Sequence, residues 1–337
     1  MKVTTSRPVP TTTILHSIAA AAYAHSAMTS APASTSKISC SKFYFEWKGH
    51  GIDDLVKFRD ITLSERPGKP IIYLAGDSSL DNKYWVNRSI GDNQEQVPEI
   101  YRKALKDPVD PKPDVAYWTN HFLADRATCI NTAVEESMLR ERDNTLLPHD
   151  EFIRDNIRAN DILIVSVGAN DVALKPNTLT IRHMLELAWL TPRRSLENGT
   201  ANSLSYFKHM FGAQIQDYIS RLTAKTKPRA VIACMIYFPL ESGLGQTSWA
   251  DTQLKALGYN SFPGQLQAAI RAMYEIATKK IRIEGTHVVP CALFEVLNGK
   301  DAGDYTARVE PNAAGGKKMA EQFVKFVDGI LGDGNAS

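Results

Sequence analysis

Short continuous apolar runs recur along this chain, separated by stretches in which apolar residues return at helical spacing. The runs are Pro70-Ile71-Ile72-Tyr73-Leu74-Ala75, Thr128-Cys129-Ile130-Asn131, Ile162-Leu163-Ile164-Val165-Ser166-Val167, Ala230-Val231-Ile232-Ala233-Cys234-Met235-Ile236 and His287-Val288-Val289-Pro290. A strand covered on both faces reads as an unbroken apolar run rather than an alternation, so these runs predict a parallel sheet. Parallel strands need crossover connections, and the stretches between them have the pattern of helices. Residues 203–225 align Tyr206, Phe207, Met210, Ile215, Tyr218, Ile219 and Leu222. Residues 263–283 do the same with Leu266, Ile270, Met273, Tyr274, Ala277 and Ile281, and a last helix behind Asn312, a good N-cap, aligns Met319, Phe323, Phe326, Val327 and Ile330. The alternation predicts an α/β three-layer sandwich of α/β/α type with a five-stranded parallel sheet, the SGNH or flavodoxin-like arrangement.

Two apolar stretches fall outside that plan. Residues 174–192 follow the third run and hold His183, Met184, Leu187 and Trp189, while residues 241–262 follow the fourth and hold Trp249, Leu254, Leu257 and Tyr259. Both leave the carboxyl ends of strands, where open α/β sheets bind ligands. They are candidate walls or lids of a pocket, with plain packing over the sheet edge as the alternative.

Composition narrows the partners. With 39 basic and 37 acidic residues the formal charge is +2, and no run of one sign forms a phosphate-binding stripe, so nucleic acid is not an expected partner. No apolar stretch approaches the roughly 20 residues that span a bilayer. Residues 1–45 contain four basic residues and no acidic one and are rich in Ser, Thr, Ala and Pro. They read as a flexible tail or a secretory or mitochondrial targeting segment, leaving one domain over residues 46–333 and the compartment open. Cys40, Cys129, Cys234 and Cys291 have no metal-ligand spacing, and they read as core thiols.

The chemistry sits at strand ends: Gly76-Asp77-Ser78, Asn131-Thr132-Ala133 and Gly168-Ala169-Asn170-Asp171. A serine directly after a strand, at the start of a helix, has its hydroxyl held at the sheet edge and its N–H where negative charge is favoured. The Asn170 amide and the Ala133 N–H are further donors to an oxyanion beside Ser78. Gly168 allows a tight turn.

These strand ends resemble the SGNH/GDSL hydrolase superfamily. An apolar strand running into Gly-Asp-Ser matches Ile71 to Ser78, and Gly-X-Asn-Asp matches Gly168 to Asp171. Asn131-Thr132-Ala133 is similar to the family's Asn-X-Gly, with Ala in place of Gly. The resemblance spans roughly residues 68–331 and implies a serine hydrolase acting on a small-molecule ester, without a cofactor or metal. It also implies Ser78 as nucleophile, an oxyanion hole of the Ser78 and Ala133 N–H groups with Asn170, and Asp77 and Asp171 as turn supports.

One block departs from the family. Where it has Asp-X-X-His-Pro, this chain has Ala307-Arg308-Val309-Glu310-Pro311, so Glu310 stands in the place of the base histidine and Ala307 in that of the aspartate. Glu310 can be a desolvated carboxylate base, as in serine-carboxyl peptidases, or the partner of Arg308 or of a substrate cation, or a remnant in a catalytically silent module that binds an acylated or glycosylated ligand. His183, in the first insertion, is the alternative base. Asp77, Asp81 and Asp171 near the strand ends raise a metal-dependent phosphoesterase, although no further ligand accompanies them. The expected function is a carboxylic ester hydrolase with Ser78 as nucleophile and Glu310 as base.

Overall fold

Five strands, β1 (Ile71–Gly76), β2 (Thr128–Asn131), β3 (Ile162–Ser166), β4 (Ala230–Met235) and β5 (His287–Ala292), pair in parallel in the order β2-β1-β3-β4-β5. The computed structural model describes residues 36–86 and 96–333. Every residue of β1 to β4 is buried, the edge strand β2 included, which is why they read as continuous apolar runs, whereas the other edge strand, β5, is only partly covered and has His287 exposed.

Alternate strand residues feed two cores. Ile71, Tyr73, Ala75, Leu163 and Val165 face one side, together with residues of α1 (Ile52–Glu65), α3 (Pro148–Asn156), α4 (Ile215–Leu222) and α5 (Pro263–Ile276). Ile72, Leu74, Ile162 and Ile164 face the other, against Val115 and Leu123 of α2 (Val115–Leu123) and Met319, Phe323 and Val327 of α6 (Ala313–Asp333). The result is the α/β/α sandwich, each buried large side chain contributing about 1.5–3 kcal/mol of transfer free energy.

Local details differ from the periodicity. The helix expected over 203–225 has a π-helical segment, His209–Gln214, between Leu204–Lys208 and Ile215–Leu222. The helix expected to reach residue 283 stops at Ile276, because Ala277 leaves helical geometry (φ −124°, ψ −71°); a 3₁₀ turn, Thr278–Lys280, then brings Ile281 into the core. Asn312 caps α6 as expected, its Oδ1 accepting from the N–H groups of Ala314 (2.9 Å) and Gly315 (3.1 Å).

The ordered domain begins before residue 46. Ile38, Cys40 and Phe43 are buried, and Ile38–Ser39 pairs in parallel with Leu105–Lys106. Residues 1–35 of the segment considered as a tail or targeting signal lie outside the described residues. All four cysteines are buried and free, and burial raises the thiol pKa of Cys40, Cys129 and Cys234. Among the described residues no helix is long and apolar enough to cross a membrane.

Candidate active site

β1 lies between β2 and β3, so the connection leaving it toward β2 and the one leaving β3 toward β4 diverge and open a crevice at the carboxyl ends. Gly76 makes this possible. Its φ is +142°, and a Cβ there would sit 1.7 Å from the Ser166 carbonyl oxygen on β3, so only glycine lets the two strands meet this closely. The chain then enters a single helical turn closed by the N–H groups of Leu80 and Asp81 on the Asp77 carbonyl. Ser78 is therefore in a short turn, not at the head of a long helix. Its N–H has no acceptor among the described residues.

Ser78, Asn170 and Glu310 are each less than a tenth exposed and line the same crevice. They stand where two cavities meet. The inner one, ≈ 90 Å³, is walled by Ile236, Leu254, Leu257, Leu266 and Ile270. The outer one, ≈ 490 Å³, has Trp47, Tyr84, Trp85 and Trp249 among its walls. Leu254, Leu257 and Trp249 come from the second insertion, which is thus a pocket wall, and Leu174 is the first insertion's contribution to the outer cavity.

The supporting residues are in place. Asp77 Oδ1 accepts from the N–H (3.1 Å) and hydroxyl (2.8 Å) of Ser79, while burial pushes its carboxyl up to about 6. Asp171 receives the N–H groups of Leu139 (2.7 Å) and Arg140 (3.2 Å), and Asn170 Nδ2 donates to the Ser137 carbonyl at 3.1 Å. Gly168 takes φ +111°, and a Cβ on it would meet the Phe211 ring at 3.1 Å. Ala133 corrects the expectation. It lines neither cavity, and its N–H donates to Asn131 Oδ1 at 3.1 Å, which takes up the proposed oxyanion donor.

Glu310 is presented by a small hairpin, Tyr305–Thr306 against Glu310–Pro311, whose turn residues Ala307 (φ 51°) and Arg308 (φ 64°) are left-handed. Arg308 does not pair with Glu310. Its buried guanidinium instead binds Asp251, Asn260 and the Leu240 carbonyl, fastening the second insertion to this hairpin. That fastening sets Trp249, whose indole N–H donates to Glu310 Oε1 at 3.2 Å. Glu310 Oε2 is buried without a partner. Desolvation raises the carboxyl to about 7, opposed first by the neighbouring Ser78 hydroxyl, which favours the charged form although no aligned hydrogen bond joins the two.

A second carboxyl, Glu135, escaped sequence reasoning. It is buried and lines the outer cavity with Glu310. Trp85 Nε1 donates to its Oε1 at 2.9 Å, and its Oε2 has no partner. Burial, and then repulsion by Glu310, raises its carboxyl to about 9. Its backbone N–H is held by Asp81 Oδ2 (2.9 Å), which also receives the Gly49 N–H (2.7 Å), while Asp81 Oδ1 receives the buried Lys83 ammonium (2.6 Å). Asp81 is therefore a fastener between the Trp47 loop, the β1 turn and the β2 loop. The available sequence signal was the pair Glu135-Glu136 immediately after the second strand-end motif.

His183 is not brought to Ser78. It stacks on Tyr206 (ring centroids 4.8 Å apart), faces Glu186 at 3.5 Å and lines neither cavity. Of the three aspartates weighed as metal ligands, Asp77, Asp81 and Asp171 are all engaged with protein donors as described, and no group of three His, Cys, Asp or Glu among the described residues is arranged to hold a metal ion.

No family model matches the sequence, and no curated protein matches it. Among solved structures the chain is similar to the Bacillus subtilis protein YXIM, at 18% identity over 76% of this chain and 55% of that one, with a TM-score of 0.38. A GDSL-like lipase candidate from Bacteroides ovatus follows at 12% identity over 79% of this chain and 54% of that one, TM-score 0.36. A family 3 carbohydrate esterase from Clostridium thermocellum aligns at 14% identity over 78% of this chain and 98% of that one, TM-score 0.36. The chain thus spans only about half the length of the first two. All three are under 20% identical to this chain, with TM-scores below 0.4.

Proposed function

We propose that the protein is a carboxylic ester hydrolase in which Ser78 is the nucleophile and Glu310 its base. The observation that carries this reading is the meeting of Ser78, Asn170 and Glu310 at the junction of a small apolar cavity and a wider one. The inner cavity suits a short acyl chain. Its ≈ 90 Å³ is walled mainly by aliphatic side chains.

In the proposed reaction Ser78 Oγ attacks the ester carbonyl as its proton passes to Glu310 Oε2. The negative charge on the carbonyl oxygen is met by the Ser78 N–H and by the Asn170 amide hydrogen not given to Ser137, a hole of two donors. Collapse breaks the C–O bond to the alcohol, which leaves through the outer cavity carrying the proton from Glu310. Water then attacks the acyl-serine, again giving its proton to Glu310, and the second collapse releases the acid and returns the proton to Ser78 Oγ. A carboxylate raised toward neutrality by burial is a better proton acceptor than an exposed one, which is why Glu310 can replace an imidazole here.

The test is treatment of wild type and Ser78→Ala with a fluorophosphonate and with short-chain aryl esters. Labelling and turnover that both depend on Ser78 are expected. Loss of neither in Ser78→Ala, or absence of both in wild type, refutes the enzyme and leaves a silent binding module.

A further inference from the structure

The outer cavity pairs aromatic faces with carboxyls and, among the described residues, has no lysine or arginine in its lining. Trp47 and Tyr84 approach at 5.9 Å, Tyr84 and Trp85 at 5.0 Å and edge to face, and Trp249 closes the side above Glu310. Trp47, Tyr84 and Trp249 remain 43%, 52% and 38% exposed, so this aromatic wall is not covered by the described chain. Three carboxyls, Glu135, Glu136 and Glu310, open into the same space.

Two of these carboxyls are incomplete. Glu135 Oε2 and Glu310 Oε2 are buried without a hydrogen-bond partner among the described residues, Glu310 having only the unaligned Ser78 hydroxyl beside it, although each residue's other oxygen is held by a tryptophan N–H. Buried carboxyl oxygens without partners are costly, and a donor or positive charge entering between them would offset that cost. The rim shows which chemistry fits. Lys48 Nζ lies 4.5 Å from the centre of the Trp47 ring and 2.8 Å from Glu136, an ammonium held between an indole face and a carboxylate. The interior offers the same pair of features twice over, with no ammonium among the described residues that line it.

Building on the esterase reading, we propose that the outer cavity is a cation site, and that the substrate is an ester whose alcohol carries an ammonium group. The aromatic faces attract the cation through their negative quadrupoles and the carboxyls through charge. The cation also acts on the base. Positive charge beside Glu310 and Glu135 favours their ionised forms, so binding drives protons off them and leaves Glu310 ready to accept the Ser78 proton. The groups facing Glu310 are Ser78, Asp77, Glu135, Glu136, Trp249 and the buried Tyr237, which also faces Glu135. Those facing Glu135 are Glu310, Asp81, Asp77 and Trp85. All the ionisable ones are acidic, so a cation acts on them in one direction.

Two measurements on the full chain test this. Tetramethylammonium added to wild type at pH 7 in weakly buffered solution should release about half a proton or more per site, because Glu310 is then about half protonated and Glu135 largely so. Glu135→Gln, checked for an unchanged circular dichroism spectrum, should reduce that release, and Tyr84→Ala, at an exposed wall position, should weaken tetramethylammonium binding. Separately, acetylcholine should exceed its uncharged isostere 3,3-dimethylbutyl acetate in kcat/KM by about tenfold or more, one full cation contact being worth about that factor. Equal kcat/KM for the two esters with no proton release overturns the cation site while leaving Ser78 chemistry intact. Preference for an acetylated sugar with no response to tetramethylammonium overturns it in favour of a polyol. Proton release without hydrolysis of either ester supports the cation site and counts against the esterase.

Discussion

Replacing Glu310 by glutamine removes the proposed base and keeps its shape, since the amide oxygen can still accept the Trp249 N–H. Loss of a general base typically costs about 10²- to 10⁴-fold, so kcat/KM on a neutral aryl ester should fall by at least about 100-fold. The wild-type pH profile makes the assignment sharper. With its carboxyl raised from 4.5 to about 7, Glu310 should give kcat/KM an acid limb centred near pH 7. Two units lower, at about pH 5, only ~1% of it is ionised and activity should be ~100-fold below the plateau, whereas an ordinary glutamate would still be mostly ionised there. Stopped assays with p-nitrophenyl acetate and butyrate from pH 4.5 to 8.5, run beside His183→Ala as a control, read both effects. His183→Ala should retain its activity within about twofold, because its ring stacks on Tyr206 away from Ser78. An acid limb near 4.5, or a Glu310→Gln enzyme within about fivefold of wild type while His183→Ala is dead, refutes the reasoning and moves the base to the insertion.

Asn170→Ala should lower kcat by about 100-fold or more with little change in KM, because an oxyanion donor acts in the transition state; a KM effect alone would assign Asn170 to holding Ser137. Glu135→Gln should stabilise the fold at high pH. The unfolded chain ionises this group from about 4.5 while the fold keeps it protonated up to about 9, so wild-type stability falls as pH rises through that window, by up to about 1.4 kcal/mol per pH unit. Thermal melts should therefore nearly coincide below pH 4.5 and favour the glutamine variant at pH 8; parallel melts across the range would refute the burial of that carboxyl. Gly76→Ala should cost more than about 3 kcal/mol in urea unfolding, since its methyl would overlap the Ser166 carbonyl, and a cost under about 1 kcal/mol would show that β1 and β3 can part there.

Features fixed by near neighbours in the chain were legible in the sequence, and features fixed by distant partners were not. Strands buried on both faces announce themselves as apolar runs, and Ser78 and Asn170 follow their strands within a few residues, so the sheet and two corners of the site came from local pattern. Ala133 shows where that locality misleads: an Asn131 side chain two residues back captures its N–H, and no spacing rule distinguishes a free donor from a captured one. The domain start was misplaced for a similar reason. Three buried residues, Ile38, Cys40 and Phe43, are enough to anchor a segment whose composition is that of a tail. Glu135 and Glu310 are the strongest case. Whether a glutamate is a solvated surface group or a desolvated base depends on what covers it, and here the covers are Trp85 and Trp249, 50 and 61 residues away, the second set in place by Arg308 reaching across to Asp251. The missing histidine could be seen in the sequence. The carboxyl found at its position, with a pKa raised by burial among acidic neighbours, exists only once those distant tryptophans have closed over it.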